Sequence, residues 1–170
     1  MPKTYYWREI VVAATKYALD PILVEALVVT ESSGNTDAFR FERDFWNRYL
    51  KPNKLYNGKN PRRVSSSYGL MQIMYPVAIE RGYPVDLHPE LLFVPETGLD
   101  YGCKHLRFLF DWAKEGWPES SEQDILESVL ASYNGGRGSN TPADKPRRQA
   151  TYARKVLANY ALLTKEHASV

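Results

Sequence analysis

Apolar residues recur every three to four positions along most of the chain, and this spacing predicts amphipathic helices. Residues 5–19 carry such a stripe, with charged residues set between the apolar positions. Asp20 and Pro21 then supply a helix N-cap followed by proline at the first helical position. Residues 22–29 are apolar on nearly every side, so we expect a buried central helix that ends just before Gly34.

The same pattern predicts four further helices. The spacing over 68–81 is helical, with an interruption at Pro76. Residues 95–114 place their apolar positions on one face of a long helix. Another helix is expected over 121–135, opened by a Ser N-cap and closed by paired glycines, and a last one over 148–165.

Residues 36–67 differ from the rest, because they are rich in Arg, Lys, Asn and aromatic side chains. This segment has room for one short helix near residues 42–50, and we interpret it as a polar excursion that lines a surface cleft. No run alternates convincingly between apolar and polar residues, and no linker divides the chain. The sequence therefore predicts one all-α domain over residues 1–170.

Charge and cysteine content narrow the function classes. With 22 Lys and Arg against 20 Asp and Glu, the net charge of +2 does not indicate a nucleic-acid partner. Cys103 is the single cysteine, so an intrachain disulfide is excluded, and three scattered histidines give no metal-ligand spacing. No stretch approaches the roughly 20 apolar residues of a membrane span.

Glu31 is the most informative single residue, because it lies at the carboxyl end of the apolar central helix. The helix dipole and partial desolvation both raise the pKa of a carboxyl group placed there. A carboxyl group that stays protonated can act as the general acid for a glycosidic oxygen. The alternative is a solvated residue at a frayed helix end.

Four motifs follow one another along the chain: Glu-Ser-Ser-Gly-Asn at 31–35, Tyr-Gly-Leu-Met-Gln-Ile-Met at 68–74, Ser-Tyr-Asn-Gly-Gly at 132–136 and Tyr-Ala-Arg-Lys-Val at 152–156. Together they resemble the lytic transglycosylase domain of the soluble-transglycosylase type, a relative of goose-type lysozyme. The resemblance extends over most of the chain. It implies a lysozyme-like fold, with several helices around a buried central helix and a glycan-binding cleft.

The resemblance also implies a reaction without a cofactor or metal. Glu31 would protonate the leaving oxygen of the β-1,4 bond between N-acetylmuramic acid and N-acetylglucosamine. As a base it would then take the proton of the muramic acid C6 hydroxyl, which gives a 1,6-anhydro sugar. The residues that the motifs place around the substrate are Ser32, Ser67, Tyr68, Gly69, Leu70, Met71, Gln72, Tyr133, Asn134 and Tyr152.

Within that set, we expect Ser32 beside the carboxyl group and residues 69–72 as one wall of the groove, with Gly69 letting the sugar approach the backbone. Tyr133 and Asn134 would close the other side. For Tyr152 a hydroxyl in the groove and a packed core ring are both open.

Departures from the family pattern concern how the glycan is held. Ser66 and Ser67 stand where the family usually has Gly and Ala, Ser132 replaces the usual Ala, and Arg148-Gln149 replaces the usual Glu-Thr. The long spacing from the first motif to the second also adds three acidic residues, Asp37, Glu42 and Asp44. One of these could be a second carboxylate that positions a water molecule, or all three could pair with neighbouring arginines on a solvated face.

Three hypotheses follow: a lytic transglycosylase, a muramidase of the same fold that uses water, and a wall-binding or virion structural module without turnover. All take peptidoglycan glycan strands as the partner and act on the bacterial cell wall, and we expect a monomer. The first twenty residues do not resemble a secretory signal. We therefore hypothesise a bacteriophage enzyme such as an endolysin, a virion-delivered enzyme, or a domain trimmed from a longer chain.

Overall fold

The computed structural model describes residues 4–169 as eight helices and one small sheet. The helices are α1 (Trp7–Lys16), α2 (Pro21–Ser32), α3 (Arg43–Phe45), α4 (Pro61–Val64), α5 (Tyr75–Glu80), α6 (Pro95–Gly116), α7 (Glu122–Gly135) and α8 (Ala150–Ala168). The strands are β1 (Phe39–Phe41), β2 (Ser66–Tyr68) and β3 (Ile73–Met74). A π-helical turn follows α3 at Trp46–Leu50, and 3-10 turns lie at Lys54–Tyr56 and Pro89–Phe93. The helical, lysozyme-like fold class is confirmed.

Helix α2 lies at the centre because apolar side chains cover most of its surface. Leu27 and Val28 are fully buried in it. Its start is fixed by Asp20, whose Oδ1 accepts a hydrogen bond from the Ile22 backbone N–H at 2.8 Å. Its end is fixed by Ser33, which adopts a left-handed conformation with φ +53°. The expected central helix is thus present with the expected boundaries.

The long helices surround α2 and form one apolar core. Helix α8 packs along α2 and α7, α6 packs on α7, and α1 bridges α2 and α6. Ser121 caps α7 by accepting a hydrogen bond from the Asp124 backbone N–H at 3.1 Å. The predicted helices over 95–114 and 121–135 are confirmed, and the last one begins two residues later than expected. No described helix has both the length and the apolar character that crossing a membrane requires.

The sheet is the main departure from the sequence-based expectation. Its strands are antiparallel in the order β1-β2-β3, with Phe39 opposite Tyr68 and Ser67 opposite Met74. The expected helix over 68–81 is therefore wrong in its first half. Pro76 does not interrupt a helix but occupies the first turn of α5, where its missing N–H is tolerated. Strands of two or three residues leave no detectable alternation.

Residues 36–94 have an apolar cluster of their own. It contains four tyrosines and five aliphatic residues: Leu50, Tyr56, Val64, Tyr68, Ile73, Tyr75, Ala78, Tyr83 and Leu92. The predicted short helix near 42–50 is present as α3 and the π-helical turn. We call residues 36–94 the sheet region and the rest of the described chain the helical region.

Candidate active site

A cleft of about 580 Å³ separates the two regions. It is lined by the end of α2, all three strands, α5, the middle of α6, and the end of α7 with the loop that follows it. Glu31 lies in this lining together with Ser67, Gln72, Tyr133 and Asn134. The fold therefore brings residues from three of the four motifs to one cavity, although they are up to about a hundred positions apart in the sequence.

Glu31 is half-buried in the last turn of α2, and its environment raises the pKa of its carboxyl group. Desolvation is the largest cause. Three groups act in the opposite direction: the hydrogen bond from Tyr152 and the positive charges of Arg40 and Lys155. The carboxyl group consequently keeps its proton to a higher pH than a free glutamate, while groups that stabilise its ionised form lie within reach.

Tyr152 contacts the candidate acid directly, because its hydroxyl donates a hydrogen bond to Glu31 Oε1. Burial and the Glu31 charge raise the pKa of this phenol, so it stays a donor. Tyr133 lines the cleft, and its hydroxyl donates to the Met71 carbonyl at 2.8 Å. Burial also raises the Tyr133 pKa well above its usual value. Each of the two sequence-based alternatives for Tyr152 describes one part of the side chain. Its ring packs against the core, and its hydroxyl contacts the Glu31 carboxyl group.

The Gly-Leu-Met-Gln segment is a turn that mostly faces the core. Within the turn over residues 69–72 that we expected as a groove wall, Leu70 and Met71 are at most 1% exposed, as is Tyr68 just before it, so these three side chains face the core and do not line the cleft. Gly69 has φ +69°, and a Cβ there would lie 2.7 Å from the Leu92 carbonyl oxygen. The close approach that needs glycine is thus made by the protein backbone and not by a sugar.

Gln72 is the residue of this turn that reaches the cleft. It has φ +48°, and its Nε2 donates to the carbonyls of Ala38 at 2.9 Å and Gly69 at 3.1 Å. These bonds hold the side chain against the turn and the segment before β1. The orientation of its amide oxygen is thereby fixed beside the cleft.

We expected Ser32 beside the Glu31 carboxyl group, but its hydroxyl contacts backbone carbonyls. Its Oγ lies 2.8 Å from the Leu70 carbonyl and 3.0 Å from the Val28 carbonyl, both acceptors for the one hydroxyl proton. It also accepts a hydrogen bond from the Gly34 backbone N–H at 3.2 Å. Ser32 therefore ties the end of α2 to the turn.

Glu42 is the one member of the acidic trio that lines the cleft with Glu31. Its Oε1 pairs with Arg40 Nε at 2.5 Å. Asp37 and Asp44 are exposed and lie outside the lining of the cleft. Of the three acidic residues that the sequence offered, only Glu42 therefore stays a candidate for the second carboxylate.

Several cleft residues were missed by the sequence reasoning. They are Arg81 at the end of α5, His105 and Phe108 on α6, and Arg137 in the loop after α7. Burial lowers the pKa of His105 to about 3, so this imidazole is neutral. No spacing links these residues, and only the packing of α5, α6 and α7 brings them together. Within residues 4–169, no group of three or more His, Cys, Asp or Glu side chains is placed to hold a metal ion.

Comparisons with known proteins identify the family and the fold. A family model described as the transglycosylase SLT domain matches residues 8–155. The solved structure of an inactive mutant of the lytic transglycosylase Slt from Pseudomonas aeruginosa is similar in fold, with a TM-score of 0.64 at 17% sequence identity. That likeness covers 98% of this chain and 25% of the other, so this chain spans about a quarter of that protein's length. No curated protein sequence matches.

Proposed function

Because the chain belongs to the transglycosylase SLT domain family, we propose that it is a peptidoglycan lytic transglycosylase that cleaves the β-1,4 bond between N-acetylmuramic acid and N-acetylglucosamine. The observation that carries the proposal is the Glu31 carboxyl group, which is half-buried in the cleft, has a raised pKa and accepts a hydrogen bond from a tyrosine hydroxyl. Its substrate would be the glycan strands of the bacterial cell wall.

In the proposed reaction, Glu31 serves as acid and then as base. Its proton passes to the glycosidic oxygen as the C1–O bond breaks, and positive charge develops at C1 of the muramic acid. The resulting carboxylate takes the proton of the C6 hydroxyl, and O6 bonds to C1 to close the 1,6-anhydro ring. The proton given and the proton taken balance, so the step consumes no water.

The ionised Glu31 between these two half-steps has three stabilising partners. Tyr152 donates a hydrogen bond to it, and Arg40 and Lys155 supply positive charge. Desolvation favours the protonated carboxyl group before the reaction, whereas these partners favour the carboxylate after it. A group that acts first as an acid and then as a base needs both kinds of influence.

Hydrolysis is the second candidate function, and Glu42 is the observation that favours it. A carboxylate that shares the cleft with the acid can act as the base for a water molecule. Its ion pair with Arg40 would orient the Glu42 side chain. In this reaction the product has a reducing end in place of an anhydro ring.

Mass spectrometry of the muropeptides released from purified peptidoglycan tests both candidates. Wild type, Glu31→Gln and Glu42→Gln would be compared, with the exposed Glu119→Gln as the matched control. Anhydro-muramyl products that disappear in Glu31→Gln and persist in Glu42→Gln would support transglycosylation. Reducing-end products that disappear in both variants would support hydrolysis instead. If the wild type releases no product, both reactions are contradicted and the wall-binding hypothesis is the one that remains.

A further inference from the structure

Charged residues are unevenly distributed between one part of the sheet region and the rest of the chain. Residues 48–63 contain six of the 22 Lys and Arg side chains and none of the 20 Asp and Glu side chains. The remaining residues carry 16 positive and 20 negative side chains, a net charge of −4, although the whole chain has +2. We call residues 48–63 the basic segment. A concentration of one sign of charge on a surface attracts a partner of the opposite sign.

Two cations of the basic segment have partners within the protein. Arg63 forms an ion pair with Glu90 at 2.5 Å, and the Arg62 guanidinium lies over the Phe41 ring at 5.4 Å. The other four have no carboxylate of residues 4–169 within ion-pair distance, and they are Arg48, Lys51, Lys54 and Lys59. Three of these four side chains are exposed and the last is partly exposed. Their charges are therefore available to an external anion.

The backbone of the basic segment is fixed from the inside. Leu50 and Tyr56 are each 4% exposed and pack in the small apolar cluster. Their sequence neighbours Tyr49 and Leu55 are directed outward and are 53% and 44% exposed. Asn53 caps the 3-10 turn that follows it, because its Oδ1 accepts a hydrogen bond from the Leu55 N–H at 3.0 Å. The surface is thus formed before a partner arrives, which lowers the entropic cost of binding.

Exposed apolar side chains are concentrated in the same region. Of the ten large apolar side chains that are exposed among residues 4–169, seven lie in the sheet region, including Tyr49, Leu55 and Leu91. Leu91 belongs to a 3-10 turn that packs on α4, at the end of the basic segment. Unpaired cations beside exposed apolar side chains suit the surface of a lipid bilayer, where phosphates lie next to hydrocarbon.

The apolar side chains distinguish a bilayer from a soluble polyanion. Both partners offer phosphate groups to lysine and arginine. A soluble polyanion gains nothing from an aliphatic side chain, whereas a bilayer interface takes up aliphatic groups and tyrosine rings. Leu55 directly follows Lys54 and has no place in the small apolar cluster. This combination of side chains favours the bilayer.

We propose that the basic segment binds the surface of an anionic lipid bilayer. Its four unpaired cations contact the lipid phosphates, and Leu55 enters the interface at the level of the head groups. The bilayer is a partner that the proposed reaction does not require. Because Tyr49 also lines the cleft, a molecule bound in this way holds its cleft beside the bilayer.

Flotation with lipid vesicles tests the proposal. One preparation contains equal amounts of phosphatidylglycerol and phosphatidylcholine, and the other contains phosphatidylcholine alone. We expect the wild type to bind the anionic vesicles and not the neutral ones. The triple variant should bind the anionic vesicles about a hundredfold more weakly, since each lysine near an anionic surface contributes about fivefold. Its substitutions are Lys51→Gln, Lys54→Gln and Lys59→Gln.

A second triple variant is the matched control, with Lys104→Gln, Lys114→Gln and Lys165→Gln. It removes the same charge from exposed positions of the helical region. Its binding to the anionic vesicles should stay close to that of the wild type. Equal losses in the two triple variants would overturn the proposal, because net charge and not the basic segment would then drive binding. Absence of wild-type binding to the anionic vesicles would also overturn it.

Leu55→Ser separates the bilayer from a soluble polyanion. This variant should bind the anionic vesicles about threefold to tenfold more weakly, because the apolar contact with the interface is lost. Its binding to inorganic polyphosphate should equal that of the wild type. Vesicle binding that Leu55→Ser leaves unchanged would assign the basic segment to soluble polyanions and reject the bilayer. Thermal unfolding checks that each variant is folded, and no measurement requires turnover, so the outcome is independent of the proposed function.

Discussion

The helical region and the sheet region face each other across the cleft, and they are stabilised in different ways. The helical region buries aliphatic side chains from α1, α2, α6, α7 and α8 in one continuous core. The sheet region has a smaller cluster in which tyrosines also hydrogen-bond to backbone carbonyls, as Tyr68 does to Arg63 at 2.5 Å and Tyr83 to His88 at 2.7 Å.

The two regions supply different parts of the candidate site: the helical region carries the reacting group, and the sheet region forms the wall opposite it. Glu31 and Tyr152, the candidate acid and its partner, both come from long helices of the helical region. The opposite wall, with Gln72, Glu42 and Arg40, comes from short strands and turns. A rigid core suits a reacting group that tolerates little displacement, whereas irregular backbone can be shaped to a substrate.

The largest expected effect concerns the chemistry. Glu31→Gln should lower turnover on peptidoglycan by roughly 10²–10⁴-fold, since a general acid contributes about that much. Glutamine preserves the shape and can still accept the Tyr152 hydrogen bond. Turnover would be measured by the release of soluble muropeptides, with Glu119→Gln expected to match the wild type.

The same variant should not lose stability at neutral pH. The folded state raises the Glu31 pKa, so ionisation of this group disfavours folding above that pKa, and the penalty disappears as the pH falls and the group is protonated. We therefore expect Glu31→Gln to unfold with a free energy at least equal to that of wild type at pH 7, with the advantage vanishing by about pH 4. A variant that is both inactive and unstable would mean that Glu31 acts through the fold.

The second effect compares the two apolar clusters. Leu27→Ala removes a fully buried side chain from the main core and should cost about 2–5 kcal/mol of unfolding free energy. Leu50→Ala, in the small cluster of the sheet region, should fall at the low end of that range because its surroundings can relax. Urea denaturation of both variants measures the difference. Equal costs would show that the two regions are equally rigid.

The third effect concerns the turn that joins the regions. Gly69→Ala meets the Leu92 carbonyl oxygen at 2.7 Å, whereas a Cβ at Gly34 meets nothing within 4 Å, and both glycines have positive φ. Alanine in a left-handed conformation is strained, so both variants should lose about 1–2 kcal/mol of unfolding free energy. Gly69→Ala should cost at least about 1 kcal/mol more, through the steric overlap. Matching thermal shifts for the two variants would argue against a close contact at Gly69.

The smallest effect is a shift in pH dependence. The Tyr152 hydroxyl stabilises the ionised Glu31, so Tyr152→Phe should raise the Glu31 pKa further and move the alkaline decline of turnover upward. Arg40→Gln should move it in the same direction. A pH profile of kcat/KM measures it, and a downward shift would contradict the arrangement.

Prediction from sequence worked where local signals were strong. Asp20-Pro21 and Ser121 fixed two helix starts, and continuous apolar stripes identified the long helices. It failed at Tyr68 to Met74, where strands of two or three residues and the positive φ of Gln72 have no local signature. Burial of Leu70 and Met71 was also misjudged, because a motif carries no information about which side of a turn faces the core.

For the candidate site, the sequence itself placed Glu31 at the end of an apolar helix, and that position alone implied a raised carboxyl pKa. The contact between Tyr152 and Glu31 joins residues 121 positions apart, and the pairing of Arg40 with Glu42 depends on where β1 meets the cleft. The same holds for Arg137 and Arg148, which the packing of α7 and α8 brings to the cleft. Helix formation depends on neighbouring residues, whereas the cleft depends on how distant helices pack, and only the tertiary structure decides that.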